Sequence, residues 1–508
     1  MRMKDLLRRF VLPLLFLVSL DAGAAVVRLV DAVKNADKAA IRTLLQQRVD
    51  VNAPEADGTT ALHWAVRTDD LQTAELLIRA GANVKAGNRY GVTPLYLACV
   101  SGNTAVIELL LKAGVSPNDA LADGETALMT AARTGKPEAV KMLLAGGADV
   151  NAKESTRGQT ALMWAAAEGN ADVVRTLIQR GADINARSSG GFTAFLFAAR
   201  EGRIAASKVF LEAGASLNES LERRGGGGGR GGRGGGAGGA RGAGGAVEAA
   251  APAVPDTANV FLLAAANAHY ELASFLLDAG ADPNAAPQGW TALHQVSWVR
   301  KVGVGDNDPA PPGSGNMGSL EFVRKVVARG ANLNARVSRR PAMGTTNLNP
   351  TGATPFLLAA RTKDVPLMRL LAELGADPRL TNDDGTTPLM VAAGIGTSSP
   401  QEDPGIEPEV LAAVKLALEL GGDINAVDKN GETAMHGAAY KHVPSVVRFL
   451  AEKGAKMEIW NQPNKRGWTP LRIVEGIPVG MNIAGDAATR VAIREVMAAV
   501  DAKKTPAR

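Results

Sequence analysis

Two kinds of apolar run alternate along most of the chain, and residues 158–185, GQTALMWAAAEGNADVVRTLIQRGADIN, show both. Ala161 to Glu168 is almost wholly apolar and rich in alanine, with the hydroxyl of Thr160 before it and Gly169 after it. A hydroxyl in front of a helix accepts from its first free amides, and glycine readily takes the left-handed conformation that ends one, so the run predicts a short capped helix. From Ala171 to Arg180 the pattern changes: Val173, Val174, Leu177 and Ile178 stand at i, i+1, i+4 and i+5, one apolar face of a second helix. Gly181 closes it in the same way, and Ala182 to Asn185 leave it in an extended or turn conformation. Helices this short cannot bury their apolar faces alone, so the unit needs copies of itself on both sides.

Copies are present. Thr60, Thr93, Thr126, Thr160 and Thr193 follow one another at spacings of 33, 33, 34 and 33, and Thr291, Thr354, Thr387, Thr433 and Thr469 open later copies. The second-helix exit recurs as AGGADVNA at 145–152, QRGADINA at 179–186, DAGADPNA at 278–285 and ELGGDINA at 419–426. A 33-residue period with T-[AP]-L openings and G-A-[DN]-x-N closings resembles the ankyrin repeat, and the resemblance covers nearly everything after residue 25. It implies an all-α chain, an ankyrin-repeat solenoid of about twelve helix-turn-helix units with hairpin fingers along one edge. It also implies binding of other macromolecules and implies no reaction; the expected state is a monomer with a protein partner whose identity the residues do not disclose.

The chain divides by composition. Residues 1–24 read as a signal peptide: Arg2, Lys4, Arg8 and Arg9 make a basic start, Phe10 to Leu20 an apolar core, and Ala22-Gly23-Ala24 a cleavage site. That core is too short to hold a bilayer, so no stable membrane span is expected after cleavage. The mature chain is expected outside the cytoplasm, periplasmic or secreted; retention of the segment as an anchor is the alternative. Repeats one to six occupy 25–220, beginning with a worn copy between Val26 and Asn52. Residues 221–256 form a flexible Gly/Arg-rich insertion, repeats seven to twelve fill 257–500, and 501–508 are expected to be a disordered tail. Further Pro/Gly-rich insertions, about 18 residues near 301–318 and about 13 near 396–408, separate the two helices of repeats eight and ten. Both are expected to emerge on the same edge.

Charge changes little. The formal net charge is +5, of which the signal segment's four basic and two acidic residues account for part. Arg223, Arg224, Arg230, Arg233 and Arg241 lie in a stretch without acids, which leaves the repeats slightly negative. Such an Arg-Gly run resembles the RGG boxes of RNA-binding proteins, but it holds no aromatic residue to stack on a base. Nucleic acid is therefore not the expected partner. Nucleic-acid or polyanion contact through this run is one alternative function, and service as an accessory subunit of a secreted enzyme is another.

Candidate chemistry is sparse. His63, His294 and His436 follow the Leu or Met of the T-[AP]-L opening, a slot in which the family's imidazole bonds locally around the threonine. His269 takes another structural slot, and His442 stands in the slot that Gly169 fills in residues 158–185, a place that calls for positive φ. The single cysteine, Cys99, aligns with Ala166 and reads as buried filler. Asp306-Asn307-Asp308 lacks the remaining spaced ligands of a calcium loop. No metal, cofactor or catalytic residues are assigned, and the chain is read as not an enzyme.

Surface positions remain. By the resemblance, finger tips and the first-helix slot two before the terminating glycine face the concave side without being needed for packing, and that face with the tips is the expected binding surface. The tips carry Tyr90, Phe192, Trp290 and Trp468, and the slot carries Arg67, Arg133, Arg200, Trp298, Arg361 and Tyr440. These are the candidate binding residues, Arg and Trp being common hot-spot types. Trp64 and Trp164, one residue from the Ala-Ala pair, are expected in the core. Export itself has a direct test: material from the native host should begin at or near Ala25 on N-terminal sequencing, and an intact Met1 contradicts it.

Overall fold

The computed structural model describes residues 29–221, 258–301, 311–340, 346–477 and 485–504. The signal segment, the Arg-Gly run and the Asp306-Asn307-Asp308 triplet lie outside the described residues. Among the described residues the chain is all helix and turn, and its helices pair off in sequence order, twelve pairs with one extra turn at Met457–Trp460.

The chain divides into two compact units, Met1–Ala198 with Arg203–Ala215, and Ala199–Gly202 with Ser216–Arg508. In the first, a helix at 29–34 precedes Lys38–Gln46. Then come Ala61–Arg67 with Leu71–Arg79, Pro94–Ser101 with Thr104–Lys112, Ala127–Arg133 with Pro137–Ala145, and Ala161–Glu168 with Ala171–Gln179. Most of Ala194–Arg200 and all of Ile204–Glu212 complete it. The second unit runs through Val260–Ala266 with Tyr270–Asp278, Ala292–Val299 with Ser319–Ala328, and Pro355–Arg361 with Val365–Glu373. It ends with Pro388–Ala393 and Glu407–Glu419, Ala434–Lys441 and Pro444–Glu452, and Pro470–Glu475 and Ala487–Lys504.

Local chemistry sets these bounds. The Thr160 hydroxyl accepts from the Met163 amide, and Thr93, Thr126, Thr354, Thr387 and Thr469 cap their helices in the same way. Gly169 ends its helix at φ 83°, and His442 takes the same left-handed cap at φ 59°. Leu162, Met163, Ala165 and Ala166 of the first helix and Val173, Val174 and Leu177 of the second are buried, so both apolar faces find cover. The last helix runs past Val500, where the sequence reading ends it, as far as Lys504. Asp501, Ala502, Lys503 and Lys504 interrupt nothing, and the first breaker is Pro506.

Neighbouring pairs are joined by polar brackets as well as by apolar contact. Asn151 at the exit of one second helix donates through Nδ2 to the Gly181 carbonyl at 3.2 Å and accepts from the Asp183 amide at 2.9 Å. Asn52 with Gly81 and Asn83, Asn118 with Gly147 and Asp149, and Asn284 with Gly330 and Asn332 repeat the device. The fingers are turns whose tips touch through single backbone bonds, such as Arg89 N to Asp57 O and Ser189 N to Arg157 O, at 2.9 and 2.7 Å.

Asn151→Ala removes both bonds of one bracket and should lower the stability of the first unit by about 1–2 kcal/mol, read from urea unfolding. Lys85→Ala, in the same slot but without a bracket, should be close to neutral.

Candidate functional site

The histidines belong to the scaffold. His63 Nδ1 accepts from the Thr60 amide at 3.2 Å and lies 2.8 Å from its hydroxyl, while Nε2 donates to the Val92 carbonyl of the next finger at 3.0 Å. His294 and His436 do the same with Thr291 and Thr433, reaching Ala335 and Ala353 in one case and Trp468 in the other. Each ring is thus a bracket between a helix start and the following finger, held in the neutral form because burial lowers its pKa, to about 4 for His294 and His436. His269 donates to the Arg200 carbonyl at 2.7 Å, with Ser314 Oγ 2.8 Å from its other nitrogen. Burial pushes the Cys99 thiol up to about 12, which suits an inert core residue. Among the described residues no group of three or more His, Cys, Asp or Glu is placed to hold a metal ion, and no helix is long and apolar enough to cross a membrane.

The ten surface candidates separate sharply. Tyr90 is 67% exposed, with the Arg89 guanidinium 5.0 Å from its ring centroid. Arg67 is exposed and lies 5.1 Å from the centroid of Trp64, which Lys34 also covers. Arg133 is half-buried: its guanidinium meets Glu125 at 3.4 Å and the Tyr96 hydroxyl at 3.2 Å, and lies 5.1 Å from the Trp164 centroid. Arg200 is half-buried against Glu201 at 2.8 Å, and Phe192 is half-buried beside Phe197.

Three candidates are corrected outright. Trp290, Arg361 and Tyr440 are buried, at 4%, 8% and 9% exposure, so they are not free surface. The lengthened finger at 335–353 accounts for two of them: Ser338 N bonds to Gly289 O beside Trp290, and Thr346 Oγ1 takes the Arg361 Nε–H at 3.3 Å. Tyr440 is held by Glu432 at 2.9 Å and Asn464 at 3.0 Å. Trp298 is half-buried edge-on to Trp290, and Trp468 half-buried beneath Arg466. Trp64 and Trp164 are half-buried too, against the expectation of core, with Lys34 and Arg67 (the latter on the same helix) over the first ring and Arg133 over the second.

The insertion of repeat ten is firmly built. Lys441 donates to the carbonyls of Pro400 and Asp403, both at 2.7 Å, and the Asp403 carboxylate takes the amides of Ser398 and Ser399. Lys301, at the start of the repeat-eight insertion, pairs with Glu409 at 2.7 Å, so the flanks of the two insertions meet. In the second unit Tyr440 and Trp468 come together on a cavity of about 830 Å³, with Glu432, Asn464 and residues 396–402 of the repeat-ten insertion. Glu432 and Asn464 were not singled out from the sequence. The one signal for Glu432 was its place directly before Thr433, matching Glu125 before Thr126.

Comparison with known proteins agrees with this architecture. The family model described as "Ankyrin repeats (3 copies)" matches residues 29–120, 128–220 and 409–474, and that described as "Ankyrin repeats (many copies)" matches 261–298. The chain is similar to ankyrin repeat and SOCS box protein 16 of Homo sapiens, 32% identical over 36% of this chain and 51% of that protein. A putative ankyrin repeat protein of Fowlpox virus (strain NVSL) is 28% identical over 21% of this chain and 29% of its own length. BRCA1-associated RING domain protein 1 of Caenorhabditis elegans is 30% identical over 25% and 16%. The chain thus spans about half or less of the length of these relatives.

The buried imidazoles make the second unit acid-sensitive below pH 6.5. His294 and His436 titrate near 6.5 when unfolded and near 4 when folded, so below pH 6.5 the unfolded chain takes up protons that the folded chain refuses. Stability is full above that pH and falls as pH drops toward 4, the loss at pH 5 being about 2 kcal/mol for each ring. Urea unfolding at pH 7 and pH 5 should show this difference, and His294→Gln should remove about 2 kcal/mol of it.

Proposed function

Since the chain belongs to the ankyrin repeat family, we propose that it is a non-catalytic binding scaffold, exported from the cytoplasm and monomeric, that recognises a protein partner through its finger tips and first-helix ends. Ankyrin repeats generally mediate protein–protein interaction and are generally non-catalytic. The observation that carries the reading here is Tyr90, a large aromatic ring 67% exposed at a finger tip and backed by a guanidinium. Arg67 and Val100, the latter 43% exposed, hold the same slot on the first helices of adjacent repeats, which leaves Arg, Tyr and Val side chains available. Tyr and Arg are the types that most often dominate protein interfaces, since each pairs a wide apolar surface with a polar end. The basic start, apolar core and Ala22-Gly23-Ala24 site support export.

The test is affinity capture of the chain beginning at Ala25 from an extracytoplasmic extract, followed by mass spectrometry. A protein should be retained, and the Tyr90→Ala/Arg67→Ala double variant, whose substitutions are both on the surface, should bind it at least tenfold more weakly, about 1.4 kcal/mol or more. Retention of no protein, or capture that ignores both substitutions with the melting temperature unchanged, refutes the reading.

A further inference from the structure

The first unit shows how this chain houses a guanidinium. Arg133 projects from the slot seven residues after Thr126 and meets three groups: the Glu125 carboxylate directly before that threonine, a tyrosine hydroxyl and a tryptophan ring. The eleventh pair starts with the same local order, Glu432 directly before Thr433, but the slot seven residues on holds Tyr440. A carboxylate, a tyrosine hydroxyl and a tryptophan ring again line one cavity there, as Glu432, Tyr440 and Trp468; Arg466 lies over the tryptophan ring at 5.2 Å, but no guanidinium is hydrogen-bonded to the carboxylate. Both hydrogen-bond partners of the Glu432 carboxylate, Tyr440 Oη at 2.9 Å and Asn464 Nδ2 at 3.0 Å, are neutral.

Glu432 is half-buried, and a carboxylate partly withdrawn from water with only neutral partners gains from a cation that reaches it. Burial raises the Glu432 carboxyl above its usual range and Asp428 adds to this, while Arg466, stacked on Trp468, opposes it least of all. Asp384, Glu402 and Asp486 add carboxylates to the wall, against Lys465 and Arg466. Guanidinium suits the set better than ammonium because it is planar, bonds a carboxylate through two N–H groups and stacks on aromatic faces. The cavity, about 830 Å³ and reaching the surface at Gln401, Glu402, Lys465 and Arg466, has room for more than one side chain, as a peptide segment requires.

We propose that this cavity binds an arginine side chain presented by a protein partner, with Glu432 as the carboxylate that receives it and Trp468 as the aromatic wall. The assignment rests on the protein-binding reading above and adds a second, chemically defined contact to it.

Calorimetry with the whole chain tests it, using acetyl-Gly-Arg-Gly-amide, its citrulline counterpart and methylguanidine as probes. Citrulline keeps the shape of arginine and loses its charge, so the arginine peptide should bind at least tenfold more tightly, and more tightly than methylguanidine. Glu432→Gln should abolish the preference over citrulline. Tyr440→Arg, which supplies a guanidinium from the chain's own helix as Arg133 does, should lower arginine-peptide affinity at least tenfold with the melting temperature unchanged or raised. Equal binding of arginine and citrulline peptides, or a preference that survives in Glu432→Gln and in Tyr440→Arg, overturns the proposal. Methylguanidine binding as tightly as the peptide overturns the peptide source. Captured partner that ignores Glu432→Gln removes this site and leaves the scaffold reading standing; arginine-peptide binding with no partner captured does the reverse.

Discussion

No helix pair in this chain can hold itself together. Most helices are seven to nine residues long, below the length at which an isolated helix persists in water, and each has an apolar face that only a neighbouring pair can cover. Val174 and Leu177 reach 0% exposure because helices before and after theirs lie against them. Stability is therefore shared between neighbours, and anything that weakens one contact is felt by the next pair in its unit.

The same dependence governs the polar groups. Packing short helices side by side brings helix starts, helix ends and turns against one another, where their free amides and carbonyls need partners. Threonine caps the starts, histidine ties three of them to the following finger, and asparagine closes the exits against the next turn. Residue types that elsewhere would mark catalysis are thus engaged in joining repeats. The long cations follow the same logic: Arg133, Arg361 and Lys441 each reach a group in another element and are held there. Lys363 is an extreme case, enclosed so completely that burial drives its pKa well below the usual lysine range. On the proposed reading, binding falls to exposed side chains such as Tyr90 and to the cavity lined by Glu432, Tyr440 and Trp468.

What could be read from the sequence was whatever is local or repeated. The thirty-three-residue period, the threonine caps, the left-handed glycines, the positive φ of His442 and the buried Cys99 all follow from contacts within a few residues or from a slot that recurs. The three histidine brackets were legible for the same reason, since half of each bond set lies three residues away. Exposure was not legible, because it depends on which segment lies over a side chain. Arg67 and Arg361 occupy the same slot of the repeat, yet one is exposed and the other buried, because only the second has a lengthened finger carrying Thr346 across it. Trp290 and Tyr440 were hidden by the same kind of event, the first by a finger extension and the second by Asn464 of the next finger. Only the folded chain brings Glu432 and Trp468, thirty-six residues apart in sequence, to one cavity, with neutral hydrogen-bond partners at the carboxylate. A repeat specifies its own backbone, while the charge, cover and vacancy around each slot are set by how the neighbouring units and insertions pack against it.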